Sequence, residues 1–361
     1  MQILKLGFNT VRLSFCNQMF LPSSNVTSVD YRYNPDLIGL TPLQCLDKVI
    51  SYSESIGLRV ILARFSAKQG QIAEPLWYLP NDKRYSEARF IADWVMLAAR
   101  YVNTAVVAMD LWENPKGNAT WGANSTRTDW NLAAEKTANA ILAVNPNVLI
   151  IVEGIYWASD LSSVSTHPIK LMIPNRLVYS AHEIPSSCFN SSNSTDSVDS
   201  VALRSNWNTK YGFIAIQQIA PVFIGEFGTL NDFDWLLTFL NYTNGQYIEE
   251  GKSDLPARQQ GMSWAFQGLG PYGACGGLLA EDWLTLQTDK VASLRPFLAP
   301  LLPWRNPNLP AEPVNVSYVV PQPSRQPTIA PSRPYFPYFH TSGNQIVDRS
   351  GNSIRISGVN W

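Results

Sequence analysis

Ala105-Val106-Val107-Ala108-Met109-Asp110-Leu111-Trp112-Glu113-Asn114-Pro115 is the stretch that decides how this chain is read. Ala105 to Trp112 reads as a buried strand, and the strand ends in a carboxylate, an amide and a proline. Strand-like and helix-like segments alternate on both sides of it, the pattern of a parallel α/β fold. Further strands are expected at Asn9–Phe15, Leu58–Phe65, Val148–Glu153, Arg176–Ala181, Val222–Glu226 and Met262–Phe266. Helices are expected from Thr41-Pro42 to Gly57, from Tyr85 to Tyr101 and from Asp129 to Ala143. Thr41 suits an N-cap and Pro42 the first helical position. Met1 to Lys5 reads as the last turn of a helix entering the first strand and has none of the marks of a signal peptide, so the chain is expected to begin inside a larger precursor or repeating unit.

These strands number seven, and a closed parallel barrel needs eight. The eighth candidate lies at the far end. His340 to Asp348 reads as a hairpin with a Gly343-Asn344 turn, and Ile354 to Trp361 as an apolar strand. A Pro-rich segment, roughly Pro303 to Pro337, separates it from the body of the chain and favours extended polyproline II. At ~3.1 Å per residue such a spacer reaches roughly 100 Å when fully extended. It can wrap the surface so that the strand closes its own barrel, or carry the strand to a neighbouring molecule. Repeated donation of that kind is head-to-tail self-association through residues 339–361, which need not close and so can build a filament.

With 27 Lys and Arg against 28 Asp and Glu, the charge balance points to no nucleic-acid or other polyanionic partner. No apolar run is long enough to span a membrane. Sequons at Asn25, Asn118, Asn124, Asn190, Asn193, Asn241 and Asn315 lie mostly in Ser/Thr/Asn-rich, loop-like stretches and point to a secreted glycoprotein. Cys16, Cys45, Cys188 and Cys275 fit an oxidising compartment and allow three pairings, with free buried thiols as the alternative. Their spacing is no zinc ribbon, and neither metal nor cofactor is expected. The twelve Trp residues serve either as core or as platforms for sugar rings; Trp112 and Trp121 are the candidates nearest the mouth.

Leu111 to Pro115 and Ile224-Gly225-Glu226-Phe227-Gly228 together resemble the two catalytic strand ends of retaining glycosidases of family 5, the cellulase family. The resemblance covers nearly the whole chain except the Pro-rich segment. Gly7 to Leu13 is similar to the family's second strand with its site arginine, Arg12, and Pro174 to His182 to the sixth with its site histidine. Gly276-Gly277-Leu278-Leu279 with Asp282-Trp283 follows the eighth strand as in bacterial-type endoglucanases. The resemblance implies a TIM (β/α)8 barrel whose first strand is displaced to the C-terminus, circularly permuted or donated. Residues 1–302 would hold strands two to eight, 303–338 the linker, and 339–361 the hairpin and first strand.

A retaining glycosidase needs two carboxyl groups about 5–5.5 Å apart. The resemblance places the nucleophile at Glu226, kept ionised by Arg12, with His182 lining the same site. The acid/base position is Asn114, an amide that can deliver no proton. Glu113 stands one residue earlier, where the family has an asparagine. Alternation along a strand turns neighbours to opposite faces, so Glu113 is expected to replace the acid only if a bulge re-aims it. It otherwise reads as a solvated carboxylate, and Arg12 with Glu226 as a buried ion pair. Phe65, Ile184 and Gln267 also depart from the family pattern, Gln267 at the position of a subsite tryptophan. The expected function is therefore a secreted glycoprotein with a catalytically impaired barrel, leaning away from an enzyme. It would act as an extracellular structural module, filament-forming in one version, or as a contact for β-glucan or another polysaccharide. The alternative is an active retaining endo-β-1,4-glucanase.

Overall fold

Eight parallel strands close into a barrel in the order β1-β11-β7-β6-β5-β4-β3-β2. They are β1 (Thr10–Cys16), β2 (Arg59–Ser66), β3 (Val106–Asp110), β4 (Leu149–Glu153), β5 (Leu177–Glu183), β6 (Val222–Phe227), β7 (Ser263–Phe266) and β11 (Ser357–Asn360). The computed structural model describes residues 2–71, 74–189, 199–246, 261–301 and 338–361. The Pro-rich segment and the sequons at Asn190, Asn193 and Asn315 fall outside the described residues.

The displaced strand completes the barrel of its own chain. β11 lies between β1, through Thr10↔Gly358 to Arg12↔Asn360, and β7, through Ser357↔Trp264 to Val359↔Phe266. The sheet order is thus that of a TIM barrel whose first strand comes last in sequence. The expected hairpin also forms: β8 (His340–Ser342) pairs antiparallel with β9 (Gln345–Val347), and β10 (Ser353–Ile354) adds a third strand to it. Phe339, Ile346, Ile354 and Ile356 from this unit pack on Ile61, Ala108, Ile151 and Phe223 of the barrel strands in one buried cluster. The hairpin is therefore a plug as well as a leader to the strand.

The helices arise as their signals imply. Pro42–Ser55 starts in a capping box: the Gln44 amide donates to Thr41 Oγ1 at 3.3 Å and the Thr41 amide to Gln44 Oε1 at 2.8 Å. Glu87–Arg100 buries Phe90, Trp94 and Leu97 on one face, and Trp130–Val144 is capped by Asp129. Among the described residues no helix is long and apolar enough to cross a membrane.

β3 stops at Asp110, two residues before its expected end. Beyond it the amides diverge: Leu111 donates to Ile151 on β4 at 3.1 Å, and Glu113 to Arg64 on β2 at 2.9 Å. Residues two apart on a regular strand bond the same neighbour, so the backbone is irregular between Leu111 and Glu113, and the strand ends where the site begins.

Candidate active site

Arg12, on β1, lies fully buried under the C-terminal mouth of the barrel. Its Nη2 is 2.8 Å from Asp110 Oδ2 and 2.8 Å from Glu153 Oε1, while Nη1 is 3.4 Å from Glu113 Oε2 and 3.6 Å from Glu226 Oε1. Asn360, on the displaced strand, accepts from Arg12 Nη1 at 3.2 Å and donates to the Gly225 and Phe266 carbonyls. One guanidinium is thus shared by four carboxyl groups from β3, β4, β6 and the loop after β3.

Four buried carboxylates around one cation cannot all stay ionised. Burial raises Asp110 and Glu226 well above the ordinary carboxyl range, and neighbouring carboxylates add to the effect. Burial also lifts Glu153, to about 7. Glu113 goes the other way: burial pushes it up, but Arg12 and a hydrogen bond with Glu226 outweigh that and lower it. His182 is held neutral, its value brought down to about 3 by burial and by Arg12.

Glu226 is aimed inward by irregular pairing on both sides of β6. The β5–β6 register shifts between Ala181 and His182, so that His182 pairs with Glu226, and the β6–β7 register shifts between Ile224 and Phe227. Gly225 is required there, because a Cβ would come within 2.5 Å of His182 Nε2 and 2.8 Å of Ser180 Oγ. His182 Nδ1 is 2.9 Å from Asn114 Oδ1 and 3.7 Å from Glu226 Oε2.

Glu113 departs from expectation. Its side chain turns into the site, where Ser14 Oγ donates to Oε2 at 2.9 Å and the carboxyl hydrogen-bonds Glu226. Simple alternation fails because the backbone turns over between Leu111 and Glu113, whose amides bond opposite neighbours. Asn114 follows in a left-handed conformation, φ 56°, with its amide on Glu153. Glu113 and Glu226 approach the same nitrogen, Arg12 Nη1, at 3.4 and 3.6 Å.

Above the pair opens a cleft of about 350 Å³, lined by Ser14, Phe65, Glu113, Glu226 and Gln267 and by three exposed aromatics, Tyr272, Trp283 and Trp361. Gln267 uses its Oε1 to accept the Cys275 amide at 3.0 Å. Trp112 does not reach the cleft. It is 1% exposed and packs edge-on against Trp77 and Trp130, so it offers no face to a sugar. Trp121 is buried as well and donates to the His167 carbonyl. Ile184 is half-buried after β5. Of the open cysteine pairings the structure has Cys188–Cys275, which joins the loops after β5 and β7 across the end of β6; Cys16 and Cys45 are free.

Sequence reasoning missed Asp110, Glu153, Ser14 and Asn360. A signal was present for Glu153 and Asp110, since each is a lone carboxylate ending an apolar strand on the side where the motifs lie.

A closed β/α barrel with paired carboxyl groups at the C-terminal ends of two strands is the architecture of a retaining glycosidase. The pattern of the cellulase family, glycosyl hydrolase family 5, matches residues 1–255. The chain belongs to this family. It is 37% identical over 314 residues to an endoglucanase of Paenibacillus polymyxa, covering 83% of this chain and 76% of that one. It is 34% identical over 318 residues to the major extracellular endoglucanase of Xanthomonas campestris, covering 81% of this chain but 61% of that one. A cellotetraose complex of the endocellulase of Pyrococcus horikoshii superposes with a TM-score of 0.71 at 30% identity, covering 82% of this chain and 84% of that one. These relationships overturn the expectation of a barrel that leans away from catalysis. Its relatives at this identity, across four-fifths of the chain, are endoglucanases, and this argues against a barrel that has lost its chemistry.

Proposed function

We propose that the chain is a secreted endo-β-1,4-glucanase that hydrolyses β-glucan with retention, Glu226 serving as nucleophile and Glu113 as acid/base. The convergence of these two carboxyls on Arg12 Nη1, at 3.4 and 3.6 Å, in the lining of one cleft carries the reading. The pair holds one proton, and a retaining enzyme needs one carboxylate and one carboxylic acid. Burial and the neighbouring carboxylates favour the proton on Glu226 and Arg12 favours the charge on Glu113; the reaction requires that proton on Glu113. Glu226 then attacks the anomeric carbon as the glycosidic C–O bond breaks and the Glu113 proton passes to the leaving oxygen. In the second step Glu113 takes a proton from water, and the hydroxide displaces Glu226 from the sugar. Substrate class is supported by the cellotetraose bound to the Pyrococcus endocellulase and by the aromatic faces of Tyr272, Trp283 and Trp361 in the cleft. Secretion is supported by exposed sequons at Asn25, Asn118 and Asn124, by the disulfide, and by the extracellular Xanthomonas relative.

The test is hydrolysis of cellotetraose and of 2,4-dinitrophenyl β-cellobioside by the wild type, Glu113→Gln and Glu226→Gln. General acid catalysis is worth ~10²–10⁴-fold. Glu113→Gln should lose that much in kcat/KM on cellotetraose and little on the dinitrophenyl substrate, whose leaving group needs no proton. Glu226→Gln should lose both. Wild-type cleavage of cellotetraose that survives Glu113→Gln would sink the assignment.

A further inference from the structure

Glu153 has no role in the bond-making steps, yet it is completely buried at the centre of the site. It ends β4, and its two oxygens point to different tasks. Oε1 lies 2.8 Å from Arg12 Nη2 and 3.0 Å from His182 Nε2. Oε2 accepts the backbone amide of Asn114 at 2.6 Å, 39 residues away in sequence. That amide belongs to the one residue of the motif in a left-handed conformation. Asparagine adopts such a conformation more readily than most residues with a side chain, and contacts with its surroundings hold it there. Three contacts do so here: the Glu113 amide is held by the Arg64 carbonyl, the Asn114 amide by Glu153, and Asn114 Oδ1 by His182, itself against Glu153. The Cα of Glu113 thus lies between two anchored peptides, one held by the Arg64 carbonyl and the next by Glu153, and the two anchors fix the direction of its side chain. Without the Glu153 carboxylate the second anchor is lost and Glu113 can turn away from Glu226.

We propose that Glu153 is a positioning residue that anchors the Glu113–Asn114 peptide and so holds a carboxyl one residue off the family's acid/base position beside the nucleophile. This rests on the assignment of Glu113 as acid/base. It differs from a general role in stability by a signature in the leaving group: a misplaced acid harms substrates that need protonation and spares those that do not.

The experiment measures kcat/KM of Glu153→Gln, which keeps the volume, on cellotetraose and on 2,4-dinitrophenyl β-cellobioside. Rates are normalised to active sites counted by stoichiometric dinitrophenolate release from the 2-deoxy-2-fluoro analogue, which reports folded protein with a working nucleophile. A loss of about 30–100-fold on cellotetraose, within the range of general acid catalysis, with no more than about 3-fold on the dinitrophenyl substrate, is expected. Glu153→Asp, which keeps the charge beside Arg12 but stops short of the Asn114 amide, should give the same split. It replaces the Gln variant if that protein titrates no sites. Equal losses on both substrates, no loss on either, or no titratable sites in both variants would overturn the positioning role. If Glu113→Gln itself spares cellotetraose, the assignment beneath it fails instead, so the two failures are told apart.

Discussion

The Arg12 guanidinium is shared by Asp110, Glu113, Glu153 and Glu226, and this crowding of carboxyl groups shapes how the site responds to pH. Glu153 titrates near 4.5 when unfolded and near 7 when folded, because burial disfavours its charge. The folded state holds the proton that the unfolded state has lost. Stability from this group is therefore complete below about 4.5 and is lost as pH rises through about 7. Asp110 and Glu226 shift in the same direction. His182, brought down to about 3 from its ordinary 6.5, has the opposite effect: stability rises with pH across that interval. The two trends offset one another in mildly acid solution, and the carboxyl trend prevails on the alkaline side. The melting temperature should fall between roughly pH 6 and pH 8. The unfolding free energy of Glu153→Gln should fall less over that window, by about 1.4 kcal/mol, since Glu153 contributes about one pH unit between about pH 6 and its folded value of about 7. Parallel curves for the two proteins would show that Glu153 does not titrate there. The residue scale is also where the sequence was least legible. Glu113 reads as facing away from the site, and an irregularity between Leu111 and Glu113, whose amides bond opposite neighbours, turns it inward.

At the scale of elements, register irregularities aim the chemistry. The shifts flanking Gly225-Glu226 let β6 present Glu226 inward although its neighbours pair normally. The strands themselves were legible from apolar runs, and Leu58–Phe65 and Val148–Glu153 lie within a residue of β2 and β4. The shifts were not, since a bulge depends on what the adjacent strand presents. The Cys188–Cys275 link belongs to this scale too. It joins the segments that follow β5 and β7, closing a sequence separation of 87 residues over the end of β6. Serine at both positions should lower unfolding free energy by about 2–4 kcal/mol, chiefly by freeing the unfolded chain. Denaturant titration of the double variant measures this; an unchanged midpoint would mean that the link adds nothing to stability.

At the scale of the molecule, residues 338–361 do two jobs. β11 covers the edges of β1 and β7, and the hairpin unit seals the opposite mouth with Phe339, Ile346, Ile354 and Ile356. Asn360 also carries the last hydrogen bond to Arg12. Deleting residues 340–361 leaves two unpaired strand edges and an open apolar cluster. The truncated chain should lose its cooperative melting transition and bind a hydrophobic dye, read by calorimetry and fluorescence. A sharp transition near the wild-type temperature would mean that seven strands suffice.

By itself the sequence determined the strand and helix alternation, the barrel, the displaced strand and the position of Glu226. Each of these depends on local apolar pattern and on motifs contiguous in the chain. Only the tertiary structure decided that Glu113 faces Glu226, that Trp112 is core, that Cys188 pairs with Cys275, and that β11 closes its own barrel. The physical reason is the same in each case. Side-chain direction at a strand end is set by hydrogen bonds and packing from residues distant in sequence, as when Glu153 captures the amide of Asn114.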